Sequence, residues 1–423
     1  MVLFNAPTAT KNREVMKEFF NVETIEAVLA HAPSFDAVEL ETVSLAECMG
    51  RILAEDIYAD VDIPDFNRST MDGFAVRASS TFGASEANPA YLTIKGQIPM
   101  GVKPDFAIGP GEAARISTGG MLPDGADSVI MIEHTDLLDD TTLEAYRSVA
   151  PGQYIIEKGE DIQCQAPALS KNTRIRPQEA GLIAACGRTE ISVYKRPLVG
   201  IISTGDEVVP VDQTPVDGQI RDINTHTLSG QVLAAGGVPV VFGIVKDSRD
   251  DLMGKCRSAL TITDMVMISG GSSVGARDFT VEVLDALPDT DILVHGISIS
   301  PGKPTILARS GQKPFWGLPG HAVSAMVVFA VVVRPFLDRL CGLPDADRSF
   351  GVQAVLNRNI ASAQGRVDFV RVRLFDQDGV VMAEPVLGKS GLIHTMVKAD
   401  GLIRIGMNTE GLDEGAVVEV MPL

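Results

Sequence analysis

Residues 267–280, MISGGSSVGARDFT, run from an apolar strand through a glycine-rich turn into the start of a helix. The turn Gly270-Gly271-Ser272-Ser273-Val274-Gly275 has the composition of a loop whose N–H groups wrap a phosphate, although a tight turn with a capping aspartate reads the same way. A carboxylate, Asp278, sits at its far lip. Outward from this stretch the chain alternates. LVGIIST (198–204), VPVVFGIV (238–245), MVMISGG (265–271) and DILVHGI (291–297) read as strands. NTHTLSGQVLAAGG (224–237), SRDDLMGKCRSAL (248–260), DFTVEVLDAL (278–287) and the segment from PGHAVSAM (319–326) read as helices. Such alternation with continuously apolar strands predicts a parallel, doubly wound α/β sheet covered on both faces. Its ligands bind beyond the carboxyl ends of the strands. STGDE (203–207), SGGSSVGARD (269–278) and LPGHAVS (318–324) all fall at strand-to-helix turns, so they are expected on one rim.

The flanks differ. VDFVRVRLF, GVVMAEPV, GLIRIG and AVVEVMPL, after about residue 350, alternate apolar with polar at period two and predict a small antiparallel β domain. Residues 46–195 are strand-rich and Gly/Pro-punctuated, with NVETIEAVLAHA (21–32) as an opening helix. A chain of 423 residues exceeds one ordinary core. A net charge of −19, spread along the chain, argues against nucleic acid or an anionic membrane as partner, so an anionic ligand needs local donors or a metal. The five cysteines form no C-x-x-C pair, as expected of reduced thiols. The first residues lack a signal-peptide core, and the longest apolar run, AVSAMVVFAVVV from Ala322, is too short to span a bilayer. A cytoplasmic protein is the expectation.

Magnitudes bear on the acidic lip. A carboxylate roughly 4 Å from a phosphate charge is repelled by about 4 kcal/mol at an effective dielectric near 20. A helix N-terminus returns only about 0.3–1 kcal/mol. Asp278 beside a phosphate therefore calls for a bridging cation, and Mg²⁺ binds through one or two carboxylates plus phosphate oxygens. Asp206 and Glu207 form a second acidic turn on the expected rim, and Asp247 follows a third strand. Lys303 is pinned between Gly302 and Pro304, and Ser324 lies in the first turn of the apolar helix; both suit an oxyanion. On composition alone, Asp72 in FNRSTMDGFAVRA and Asp161 in EKGEDIQ are ordinary turn residues.

PDFNRSTMDGFAVR, GEDI, STGDE, SGGSSVGARDFT, PGKP and LPGHAVS follow one another in the order of one family. Over nearly the whole chain the sequence resembles the molybdopterin molybdenumtransferases, the MoeA and gephyrin E-domain group. The resemblance implies a four-domain, dimerising subunit. Its domains would be a discontinuous N-terminal domain (17–65 and 166–195), a β-rich domain (66–165), a molybdopterin-binding α/β domain (196–347) and a C-terminal β-barrel-like domain (348–423). It further implies insertion of molybdenum from molybdate into adenylylated molybdopterin, with Mg²⁺-dependent release of AMP. Carried over by motif, Asp72, Asp161, Glu207, Asp247 and Asp278 match acidic positions tied to activity, with Asp278 and Glu207 toward the metal. Gly270, Gly271, Ser272, Ser273 and Gly275 match the substrate loop. Lys303, Ser324, Arg371 and Ser390 match the oxyanion pocket. The site would be shared between subunits, with Asp72 and Asp161 reaching the partner.

The chain departs from the family pattern at four places. Ser300 and Gly296 (beside His295) stand where lysines are usual, His321 replaces an asparagine, and Ile156 replaces a basic residue. A lost charged hydrogen bond costs about 1.5–3 kcal/mol, or roughly 10- to 100-fold in oxyanion affinity. Ser300 retains a donor, and His295 or His321 could restore charge. Those losses motivate, as an alternative, a non-catalytic gephyrin-like scaffold, against which the retained acidic set speaks; an insertase using tungstate would satisfy the same motifs. An adenylyltransferase sharing only the α/β domain would leave the flanking β domains unexplained.

Overall fold

The computed structural model describes residues 22–270, 279–343 and 351–423. They form two compact units, one built from residues up to Thr42 with Gly50–Ala54 and Ser192–Leu423, the other from Val43–Met49 and Glu55–Ile191.

The first unit holds the α/β sheet. Its elements are β1 (Leu198–Thr204), α1 (Asn224–Ala235), β2 (Val238–Val245), α2 (Arg249–Ile262), β3 (Met265–Ser269), α3 (Phe279–Ala286), β4 (Thr290–His295), β5 (Ile299–Ser300), β6 (Ile306–Ser310), β7 (Lys313–Leu318), α4 (Ala322–Val328) and α5 (Arg334–Leu340). The strand order is β2-β1-β3-β7-β6-β4. Neighbours from β2 to β7 pair in parallel, while β6 runs antiparallel to both β7 and β4. The expected parallel, two-faced sheet is present, with one reversed strand contributed by the hairpin β6–β7. Alternate residues of β3 serve different cores. Met265 and Met267 pack with α1, α4 and α5, whereas Val266 and Ile268 pack with α2 and α3. A strand buried on both faces has no polar phase, which is why its sequence is continuously apolar.

The apolar run from Ala322 forms one helical stretch, α4, then a π turn at Phe329–Val333, then α5. Pro335 lacks the N–H that an α turn would need, and the wider turn lies just before it. Among the described residues no helix is long and apolar enough to cross a membrane. The opening helix is shorter than its pattern suggests, Ile25–Leu29, with the Thr24 hydroxyl accepting from Ala27 N–H at 3.2 Å and Pro33 in the turn beyond.

Strands β8 (Val352–Leu356), β9 (Val367–Gln377), β10 (Val380–Pro385), β11 (Gly401–Ile405) and β12 (Val417–Pro422) close into a five-stranded barrel in the order β9-β10-β8-β12-β11-β9. Closure leaves no free edge among them. The short strand β5 pairs in parallel with β9, Ser300 opposite Asp368, and so ties the barrel to the α/β part.

The second unit is a six-stranded sheet: Ser128–Met131, Gly73–Val76, Glu112–Ile116, Ala90–Gln97, Thr142–Ala145 and Thr135–Leu137, in spatial order. It also carries a nine-residue helix, Pro177–Ala185, started by Pro177 and a reciprocal Arg176–Glu179 pairing.

Candidate functional site

The ends of β1, β3 and β7 meet on one rim, as the turn positions predicted. Gly270, just past β3, has φ +113°, and a Cβ there would lie 2.3 Å from the Thr204 carbonyl oxygen at the end of β1. Only glycine lets these two strand ends close up in this way. Gly320, just past β7, comes within van der Waals reach of Gly270. Beneath the rim lies a buried polar cluster that the sequence reading did not single out. Asp222 accepts from Ser203 Oγ at 2.9 Å, from Thr225 N–H at 3.0 Å and from Thr225 Oγ1 at 2.6 Å, which starts α1. Asn224 Nδ2 donates to the Gly320 carbonyl at 2.8 Å, leaving its buried Oδ1 without a partner. The signal was present in the sequence, since Asp222 stands three residues before Thr225 at the start of a helix.

The acidic turns converge. Asp206 follows β1, and its carboxylate accepts the N–H of Asp247, past β2, at 3.3 Å. Burial, together with the neighbouring Asp206 and Glu207 charges, pushes the Asp247 carboxyl above its usual range. Carboxylates that repel one another in this way are relieved by a cation, so the donor chemistry suits Mg²⁺. Among the described residues no three His, Cys, Asp or Glu side chains are disposed to hold a metal ion. Gly271, Ser272, Ser273, Gly275 and Asp278 lie outside the described residues.

A second corner forms where the barrel meets α4. Ser324 is 5 % exposed in the first turn of α4. His321 Nδ1 lies 2.9 Å from Ser390 Oγ, and the Ser390 carbonyl accepts from Val323 N–H at 3.2 Å. Two residues earlier, the Gly388 carbonyl accepts from Arg371 Nη2 at 2.7 Å. Arg371, on β9, is 8 % exposed, and its buried Nε has no partner among the described residues. No carboxylate pairs with it among the described residues, and burial pushes its guanidinium below the usual range. A buried cation with an unspent N–H is suited to an incoming anion. The turn carrying Lys303 is clamped to the same helix, for a Cβ on Gly302 would lie 2.3 Å from Val328 Cγ2, one turn beyond Ser324. The Lys303 carbonyl accepts from Ile297 N–H at 2.9 Å, and its side chain is exposed.

Two of the departures acquire physical reasons. Gly296 has φ +105°, a conformation that a lysine adopts only under strain. Ser300 keeps its hydroxyl, and the residue stands opposite Asp368 in the β5–β9 pairing. Burial raises the Asp368 carboxyl, and the Ser362 hydroxyl, which donates to it at 2.6 Å, the neighbouring Ser300 and the Arg366 charge outweigh that effect, so the group ends below its usual range. Ser300 therefore lies beside a carboxylate at the barrel junction.

Asp72 and Asp161 belong to the second unit. Asp72 Oδ1 accepts from Thr118 N–H at 2.8 Å, and the Asp161 N–H donates to Ile63 O at 3.1 Å with its side chain exposed. Ile156 pairs across a two-stranded ladder with Arg68, so a basic residue flanks that position from the opposite strand.

Comparison with known proteins agrees along the chain. Residues 21–187 match the MoeA N-terminal region (domain I and II), 200–339 the model described as "Probable molybdopterin binding domain", and 353–423 the MoeA C-terminal region (domain IV). The molybdopterin molybdenumtransferase of Bacillus subtilis is 33 % identical over 387 residues, covering 90 % of each chain. That of Nostoc sp. is 31 % identical over 407 residues, covering 95 % of this chain and 93 % of its own. The crystal structure of a molybdopterin biosynthesis MoeA protein from Pyrococcus horikoshii superposes with a TM-score of 0.76 at 37 % identity, over 95 % of this chain and 99 % of that one.

Proposed function

Because the chain belongs to the MoeA family of molybdopterin molybdenumtransferases, we propose that it takes adenylylated molybdopterin and molybdate, transfers molybdenum to the dithiolene sulfurs and releases AMP with the help of Mg²⁺. The transferase activity in molybdenum cofactor biosynthesis follows from the family. The substrate form, the oxyanion and the metal are the proposal. The observation that carries it is the presence, in one compact unit, of a crowded carboxylate rim and a buried arginine that has no counter-charge among the described residues.

Glu207 and Asp278 would hold the magnesium ion, which offsets phosphate charge and polarises the diphosphate. The chain's own residues do the rest. Gly270 lets the ends of β3 and β1 close up against one another, which brings their main chains together on the rim where a diphosphate would bind. Asp206 and Asp247 keep negative charge at the rim, which disfavours a phosphate arriving without its cation. Arg371, Ser390, Ser324 and Lys303 would hold the oxyanion beside the pterin sulfurs, Arg371 through its unspent Nε–H. Water would cleave the P–O–P bond to give AMP and the pterin phosphate monoester, and as the two dithiolene sulfurs bind molybdenum one oxygen of the oxyanion would leave as water with the two thiol protons. Asp72 and Asp161 would come from the partner subunit of a homodimer.

The test is AMP release from adenylylated molybdopterin with Mg²⁺ and either molybdate or tungstate, side by side. Release stimulated by an oxyanion, abolished by chelation and by Asp278→Asn, is expected. Substrate binding without AMP release would favour a scaffold role, and release with tungstate alone would reassign the oxyanion.

A further inference from the structure

The barrel corner contains a histidine whose ring decides what Ser390 can offer. His321 Nδ1 is 2.9 Å from Ser390 Oγ, and Ser390 is the ring's only hydrogen-bond partner among the described residues. The Ser390 main chain is fixed as well, through the Val323 N–H. A hydroxyl has one proton to donate. When Nδ1 is bare, that proton goes to the ring and Oγ shows only lone pairs to an arriving anion. When Nδ1 carries a proton, the ring donates to Oγ and the hydroxyl proton is free to turn outward. An amide side chain at position 321 would donate at any pH, whereas a histidine makes the donation conditional.

We propose that His321 is a positioning residue that links oxyanion affinity at the Arg371–Ser390 corner to its own protonation. The inference rests on the oxyanion reading of that corner given above. The imidazolium always presents Nδ1–H and adds positive charge, while the neutral ring divides between two tautomers. Affinity for a tetrahedral dianion therefore rises as the ring gains its proton. The titratable or charged groups on the elements packed around it are Arg371 of β9, Lys389 of the adjoining loop, His394 of the short helix beyond, Lys303 of the turn clamped to α4, and Asp222 and His226 at the start of α1. Its own helix carries none between Ala322 and Val333. Because His226 and His394 are among these groups, a pH-dependent change in oxyanion affinity is assigned to His321 by replacing that residue.

The experiment measures equilibrium binding of molybdate, and separately tungstate, to the full chain at about pH 6 and about pH 8, between which histidine titrates and both oxyanions stay dianionic. Wild-type affinity should fall roughly 10-fold from the lower to the higher pH, the worth of one charge-assisted donor. His321→Asn should bind with no such slope, and His321→Gln should do the same if the asparagine variant folds poorly by thermal melting. In a Ser390→Ala background, replacing His321 should remove only the small remaining effect of its charge. Equal slopes in wild type and both amide variants would overturn the proposal while leaving oxyanion binding intact. Absence of oxyanion binding in every variant at both pH values would remove the reading beneath it, and the proposal with it.

Discussion

Arg371 concentrates what is unusual about the site at the residue scale, because among the described residues a single hydrogen bond to the Gly388 carbonyl offsets its burial and no carboxylate pairs with it. Replacing a buried ion by an apolar residue of similar volume is neutral or stabilising, by about 1–4 kcal/mol in known cases. Arg371→Met should therefore keep or raise the chemical-denaturation midpoint while weakening oxyanion binding roughly 10- to 100-fold. A loss of both would show that the arginine is structural. Gly270 makes the opposite prediction. With φ +113° and the Thr204 carbonyl 2.3 Å from any Cβ, Gly270→Ala should cost about 1–3 kcal/mol in unfolding free energy, read from urea titrations. Of these two residues, glycine 270 was legible in the sequence as part of a turn. The isolation of Arg371 was not, since its lack of a counter-charge depends on which chain segments surround it.

At the scale of elements, the helix Pro177–Ala185 offers a pH test. The Arg176 side chain draws the Glu179 carboxyl down to about 2 from an ordinary 4.5, chiefly through their hydrogen bonds. A carboxyl whose folded value is depressed contributes stability that is complete above the unfolded value and disappears as pH falls toward the folded one. Thermal melts of Glu179→Gln should therefore lie below wild type at neutral pH and converge with it as the pH drops from about 4.5 toward about 2. Parallel curves would mean that the pairing contributes nothing. The strands β1 and β3 were legible because burial on both faces leaves an unbroken apolar run, and β2 carries a similar run although it is a half-buried edge strand. The hairpin β6–β7 was not, because TILARSGQKPFWGL mixes charge, glycine and proline, and its pairing with β3 and β4 is a tertiary matter.

For the whole molecule, the proposal that two subunits share the site makes a quantitative prediction. Asp72→Ala and Asp278→Asn preparations, each inactive in AMP release, should recover activity when unfolded together and refolded. Random pairing of subunits leaves on the order of one quarter of the sites intact in a two-fold dimer. No recovery would place both acids within one subunit's site. Sequence alone determined the family, the order of the parts, the doubly wound sheet and the rim on which Gly270 and the acidic turns after β1 and β2 lie. Each of these is written in local periodicity or in motifs a few residues long. Only the tertiary structure decided that Ser300 stands opposite Asp368, that Asp222 anchors the floor of the rim, and that His321 rests on Ser390. These partners lie between 19 and 69 positions apart in the chain, and they meet only once hydrophobic burial has closed the barrel against α4 and β1 against α1.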